Sequence, residues 1–149
     1  MLKQQIADDL KQAMLAGDKP KAELLNMLKS AVLYKEVELG VREQGLTDQQ
    51  IVDVLSKEAK KRQEAADMYT AAGDSERASK ELGEKQIIQA YLPAQMDEQE
   101  LTILVEEVIA DVKPEGMKDM GRVIGAVKAK AGNAADGALI AKLVKDRLQ

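Results

Sequence analysis

The stretch Tyr91-Leu92-Pro93-Ala94-Gln95-Met96-Asp97-Glu98-Gln99-Glu100-Leu101 stops one helix and starts another. Pro93 has no backbone N–H and its ring clashes with the preceding turn, so a helix arriving through Ile87 and Ile88 ends near Leu92. Asp97 can then cap a new helix, Glu100 stands three residues later as its capping-box partner, and Met96 and Leu101 are spaced to form a hydrophobic staple. A stop followed at once by a start marks a domain boundary. It predicts an N-terminal helical domain over 1–92 and a C-terminal domain over 94–149, with Tyr91, Leu92 and Pro93 as the hinge and Tyr91 packing between the two.

Upstream of this joint the apolar residues recur at the 3.6-residue period of an amphipathic helix. Leu2, Ile6, Leu10, Ala13 and Met14 predict a first helix ending before Gly17. Leu24, Leu25, Leu28, Ala31 and Val32, continuing toward Leu39, predict a second. Leu46-Thr47-Asp48-Gln49-Gln50-Ile51 repeats the capping-box and staple pattern. It opens a long third helix with Ile51, Leu55, Ala59, Arg62, Ala66 and Tyr69 on one face. Gly73 stops that helix, and Asp74 caps a fourth carrying Ala78, Leu82, Ile88 and Leu92. Downstream, Leu101, Leu104, Val105, Val108 and Val112 stripe a fifth helix. Asp119 is placed to cap a short sixth with Met120, Val123, Ile124 and Val127 inward, and Asp136 a seventh with Leu139, Ile140, Leu143, Val144 and Leu148. No stretch sustains the alternation of a strand. The expected fold is all-α: a four-helix N-terminal region of long antiparallel hairpins plus a small three-helix C-terminal domain.

Composition narrows the chemistry. The 149 residues contain no Cys and no His, which removes disulfides, thiolate nucleophiles and imidazole bases or metal ligands. The hydroxyls lie in caps or charged helical contexts, adjacent carboxylates such as Glu106 and Glu107 diverge around a helix, and no phosphate-binding loop of the Walker type is present. The chain is therefore expected to carry no catalytic centre, metal or cofactor of its own. No apolar run reaches the ~20 residues of a membrane span, and the N-terminus lacks the apolar core of a signal peptide. A cytoplasmic protein with no membrane partner is expected.

Charge points to a polyanion. The net charge is −4, yet residues 117–149 hold seven basic residues against three acidic ones. In that segment Gly121-Arg122-Val123-Ile124-Gly125 sets two glycines one turn apart inside a helix, where each costs up to ~1 kcal/mol relative to alanine. Two readings stand: tight packing against another helix, or an anion held at the helix start where the dipole favours it. The loop Gly132-Asn133-Ala134-Ala135-Asp136-Gly137 feeds a second helix start, just after Lys128 and Lys130. Arg122, Lys128, Lys130, Gly121, Gly125, Lys118, Asn133 and Gly137 are accordingly the candidate phosphate-binding residues. The segment has no aromatic side chain to stack on a base, so shape and backbone contact would dominate. The other basic run, Lys57, Lys60, Lys61 and Arg62, reads as a solvated helix face.

Tyr91-Leu92-Pro93-Ala94-Gln95-Met96, Asp119-Met120-Gly121-Arg122-Val123-Ile124-Gly125 and Ala135-Asp136-Gly137 together resemble the YqeY proteins. Ala72-Gly73, Lys80-Glu81 and Lys57-Glu58-Ala59-Lys60-Lys61-Arg62 extend the resemblance over nearly the whole chain. Two departures stand out: Asp74 where the family usually has a basic residue, and Asn133-Ala134 where its tail loop carries a lysine or arginine. The tail of this family is similar to that of the B subunit of the glutamine-dependent tRNA amidotransferase, where it helps to hold tRNA. A YqeY-like module also aids tRNA binding when fused to some glutaminyl-tRNA synthetases. The resemblance implies a non-catalytic tRNA-binding accessory working with an aminoacyl-tRNA synthetase or amidotransferase subunits, and no DNA. Its alternatives are a contributing subunit of a glutamine-dependent carbon–nitrogen ligase, or a protein–protein adaptor.

Overall fold

Asp18, Thr47, Asp74, Asp97 and Asp136 each accept a hydrogen bond from a backbone N–H two or three residues on, at 2.7–3.3 Å. Each such cap satisfies one donor orphaned at a helix start and is worth about 1 kcal/mol. They open five of the seven α-helices in a computed structural model describing residues 1–149. These are α1 (Leu2–Leu15), α2 (Lys19–Leu39), α3 (Asp48–Ala71), α4 (Ser75–Gln89), α5 (Glu98–Val112), α6 (Met120–Ala131) and α7 (Gly137–Leu148). Single 3₁₀ turns, Met117–Asp119 and Gly132–Ala134, precede α6 and α7. Both expected capping boxes form, Thr47 with Gln50 and Asp97 with Glu100. The fold is all-α, without strands.

The chain divides into two compact units, Met1–Leu92 and Pro93–Gln149. In the first, α1 packs chiefly along α2 and α3 along α4. Its core joins Ile6 and Leu10 to Leu24, Leu25, Leu28 and Val32, then to Ile51, Leu55 and Ile88. Gln63 meets Lys85 and Tyr69 meets Arg77, so α3 and α4 run in opposite directions. Ala59, Ala66 and Ala78 are buried small residues on these two helices. Arg62 lies among them, its guanidinium facing Glu58 at 2.9 Å, Glu84 at 3.1 Å and Glu81 at 4.0 Å.

Several expected core positions move. Met14, Leu39 and Leu82 are exposed, because each sits at the edge of its stripe where no neighbouring helix covers it. The second helix instead buries Glu36, which continues the Leu25, Leu28, Val32 spacing and receives Lys3 Nζ at 2.7 Å. Tyr91, expected between domains, belongs to the core of the first unit and donates its hydroxyl to Asp9 of α1. Burial, then the hydrogen bond and the negative charge of Asp9, push its phenol well above the ordinary tyrosine range. Leu92 also packs against this core, whereas Pro93 is exposed.

The second unit is built on Leu101, Val105 and Val108 of α5, Val123 and Val127 of α6, and Ile140, Leu143 and Val144 of α7. Its first residues are stitched to the loop before α7: Met96 N–H donates to Ala134 O at 2.7 Å and Gln95 Nε2 to Asn133 O at 2.9 Å.

Candidate nucleic-acid interface

Helix α6 turns Val123 and Val127 into the core, with Met120 and Ile124 packed beside them. At 3.6 residues per turn, Gly121, Gly125 and Ala129 fall on the opposite side, and Arg122 and Lys128 flank them. A Cβ placed on either glycine would meet no heavy atom within 4 Å. The packing reading of this glycine pair is therefore overturned: no other helix of its unit lies against it. What remains is a smooth strip of exposed helix backbone bordered by two cations.

The start of α6 differs from expectation. Asp119 does not cap α6; its Oδ2 accepts the Glu115 N–H at 2.8 Å and lies 3.5 Å from Arg122. The cause is the 3₁₀ turn before α6, which holds Asp119 at φ −95°, ψ 5° instead of the extended conformation of a capping residue. The α7 start is capped by Asp136 as expected, which sets an anion where a phosphate was also envisaged. Lys128 reaches it nonetheless: a Cβ on Gly137 would stand 3.5 Å from Lys128 Cε and 3.6 Å from Nζ. Glycine at 137 thus leaves room for the lysine to cross the helix start.

Electrostatics temper the basic character. Lys118 pairs with Glu115 at 2.5 Å, Lys130 with Asp111 at 3.5 Å, and Arg147 with Glu106 at 3.0 Å. Of the candidate cations, only Lys128 forms no ion pair. Residues 93–149 as a whole hold ten acidic and eight basic residues, so the unit is slightly negative despite its basic end. These pairs are solvent-exposed and each is worth about 0–1 kcal/mol, which a stronger anion can exchange.

The structure thus brings Gly121, Gly125, Arg122 and Lys128 onto one face, with Gly137 beside Lys128. It leaves Lys118 in the preceding turn and directs Lys130 toward α5. Asn133 spends its carbonyl on Gln95, so its loop serves the fold of this unit. The α5 carboxylates Glu106 and Asp111 escaped sequence reading, since they lie 41 and 19 residues from their partners and only packing brings them near. No group of three or more acidic, His or Cys side chains is gathered as an ion would require, and no helix is long and apolar enough to cross a membrane.

The chain is thus an all-helical protein of two units, the smaller carrying a bare glycine strip between cations. The chain belongs to the YqeY family: the family model described as Yqey-like protein matches residues 3–148. It is also 34% identical over 89 residues to the Altered inheritance of mitochondria protein 41, mitochondrial, of Eremothecium gossypii. That match covers 60% of this chain and 48% of the relative, so the chain spans about half the relative's length.

Proposed function

We propose that this YqeY-family protein is a non-catalytic tRNA-binding accessory acting with an aminoacyl-tRNA synthetase or amidotransferase subunits. The observation that carries the reading is the bare face of α6. Two helix-interior glycines destabilise α6 by up to ~1 kcal/mol each, and nothing in the chain packs into the space they leave. A phosphodiester backbone resting on that face, with Arg122 and Lys128 on either side, would account for them. The absence of aromatic residues after Tyr91 supports contact through phosphates and ribose more than through bases. Such a protein would work in the cytoplasm, among the translation machinery; the mitochondrial designation is that of the relative.

The test is equilibrium binding of full-length protein to bulk tRNA over a salt series. Each phosphate contact contributes about −0.9 to the slope of log K against log salt on a duplex, and about −0.7 on a single strand. Replacing Arg122 and Lys128 together by Ala should flatten that slope by about 1.4–1.8 units and weaken all tRNAs alike. An unchanged slope rejects this surface. A protein partner that survives nuclease treatment, with no tRNA bound at low salt, would establish the adaptor instead.

A further inference from the structure

A second site lies far from these residues in sequence, in a groove of about 170 Å³ between α1 and α2. Its floor is Glu36, 1% exposed and the only charged side chain buried in the chain, beside Ile6 and Val32. Glu36 Oε1 takes the Lys3 ammonium at 2.7 Å, while Oε2 has no donor within the protein. A carboxylate offers about four acceptor positions, and Oε2, which keeps some access to solvent, leaves its own open. The lining also includes Lys3, Lys29 and the half-exposed Leu33. Gly45, at φ +76°, brings the α2–α3 loop against Oε1, the oxygen that Lys3 already holds.

We propose that this groove binds a small zwitterion with an aliphatic body, of the class of free branched-chain α-amino acids. The charge pattern selects it. A plain cation would find Glu36 but share the groove with Lys3 and Lys29. A plain anion would find the lysines but be repelled by the buried carboxylate. A molecule with an ammonium and a carboxylate a few ångströms apart meets both demands: its ammonium donates to Glu36 Oε2 and its carboxylate faces Lys29. Its aliphatic part covers Ile6, Val32 and Leu33. The volume, about that of five or six liquid waters, suits a ligand of this size.

The experiment is a titration of the ¹⁵N-labelled full-length protein with L-leucine, followed by amide chemical shifts. Two analogues serve as controls: 4-methylpentanoate, which lacks the ammonium, and 3-methylbutylamine, which lacks the carboxylate. Saturable shifts confined to the α1–α2 region around Ile6, Lys29, Leu33 and Glu36 are expected for leucine alone, with Kd of about 1 mM or tighter. Lys29→Met, at an exposed position, should weaken binding at least about tenfold without altering the melting temperature, as loss of a charge-assisted contact does. Glu36→Gln gives a second arm if it folds; Lys29→Met keeps the test decisive if it does not. No saturable shift, equal shifts with either analogue, or full affinity in Lys29→Met would overturn the proposal.

Discussion

Substituting both α6 glycines by alanine should stabilise the protein and impair tRNA binding together. Gly125 lies inside α6, and a methyl there enters open space, so Gly125→Ala should gain about 0.8–1 kcal/mol of helix propensity. Gly121 is the second residue of the helix, where about half that gain is expected. The double variant should therefore gain about 1–1.5 kcal/mol, and a unit of this size should melt about 4–10 °C higher. The assay is thermal unfolding by circular dichroism at 222 nm, with hydrogen exchange of α6 to assign the gain to that helix. In parallel, tRNA affinity at fixed salt should drop at least about fivefold, because the two methyls lift the ligand off the backbone. A double variant less stable than the parent would mean that α6 has a packing partner in solution, and the argument from bare glycines would fail. A stabilised variant that binds tRNA as before would dissociate the glycine strip from RNA.

Other outcomes follow from single contacts. Arg62→Met should cost about 2–3 kcal/mol by urea unfolding, since it leaves Glu58, Glu81 and Glu84 facing one another half-buried; the loss should shrink at 1 M salt, at a Debye length of about 3 Å. Tyr91 holds its proton more tightly folded than unfolded, so its stabilisation is complete below the unfolded phenol value of about 10 and is lost as pH rises beyond it. Tyr91→Phe should cost about 1 kcal/mol at neutral pH and flatten the decline of stability above about pH 10. Asp97→Ala should lower stability by about 1 kcal/mol, read by increased exchange in the first turn of α5.

How much of this was legible depends on how local each determinant is. Caps at Thr47, Asp74 and Asp97 act within three residues, so the helix starts could be read directly. Asp119 misled for a reason equally local: a 3₁₀ turn keeps its backbone out of the extended conformation of a cap, and its carboxylate turns back to Glu115 instead. Glu36 stood in plain view at the stripe spacing of Leu28 and Val32, but its burial depends on Lys3, 33 residues away. Gly121 and Gly125 announced that something unusual happens on α6; which neighbour is missing there is a tertiary fact that no spacing encodes.

Charge illustrates the same limit with a consequence for binding. Residues 117–149 look basic, but residues 93–116 carry seven acidic groups against one basic, and α5 sets two of them against Lys130 and Arg147. A unit that is slightly negative overall gains little from long-range steering, because beyond a Debye length of about 8 Å an RNA meets the sum of charges and not the patch. Attraction must then come from contact, where Arg122 and Lys128 act over a few ångströms and the exposed pairs can exchange a carboxylate for a phosphate at little cost. Close approach is what the glycine strip permits. On the proposed reading, weak and salt-sensitive affinity is thus inherent in the unit, and it suits an accessory whose hold on tRNA is completed by a larger assembly.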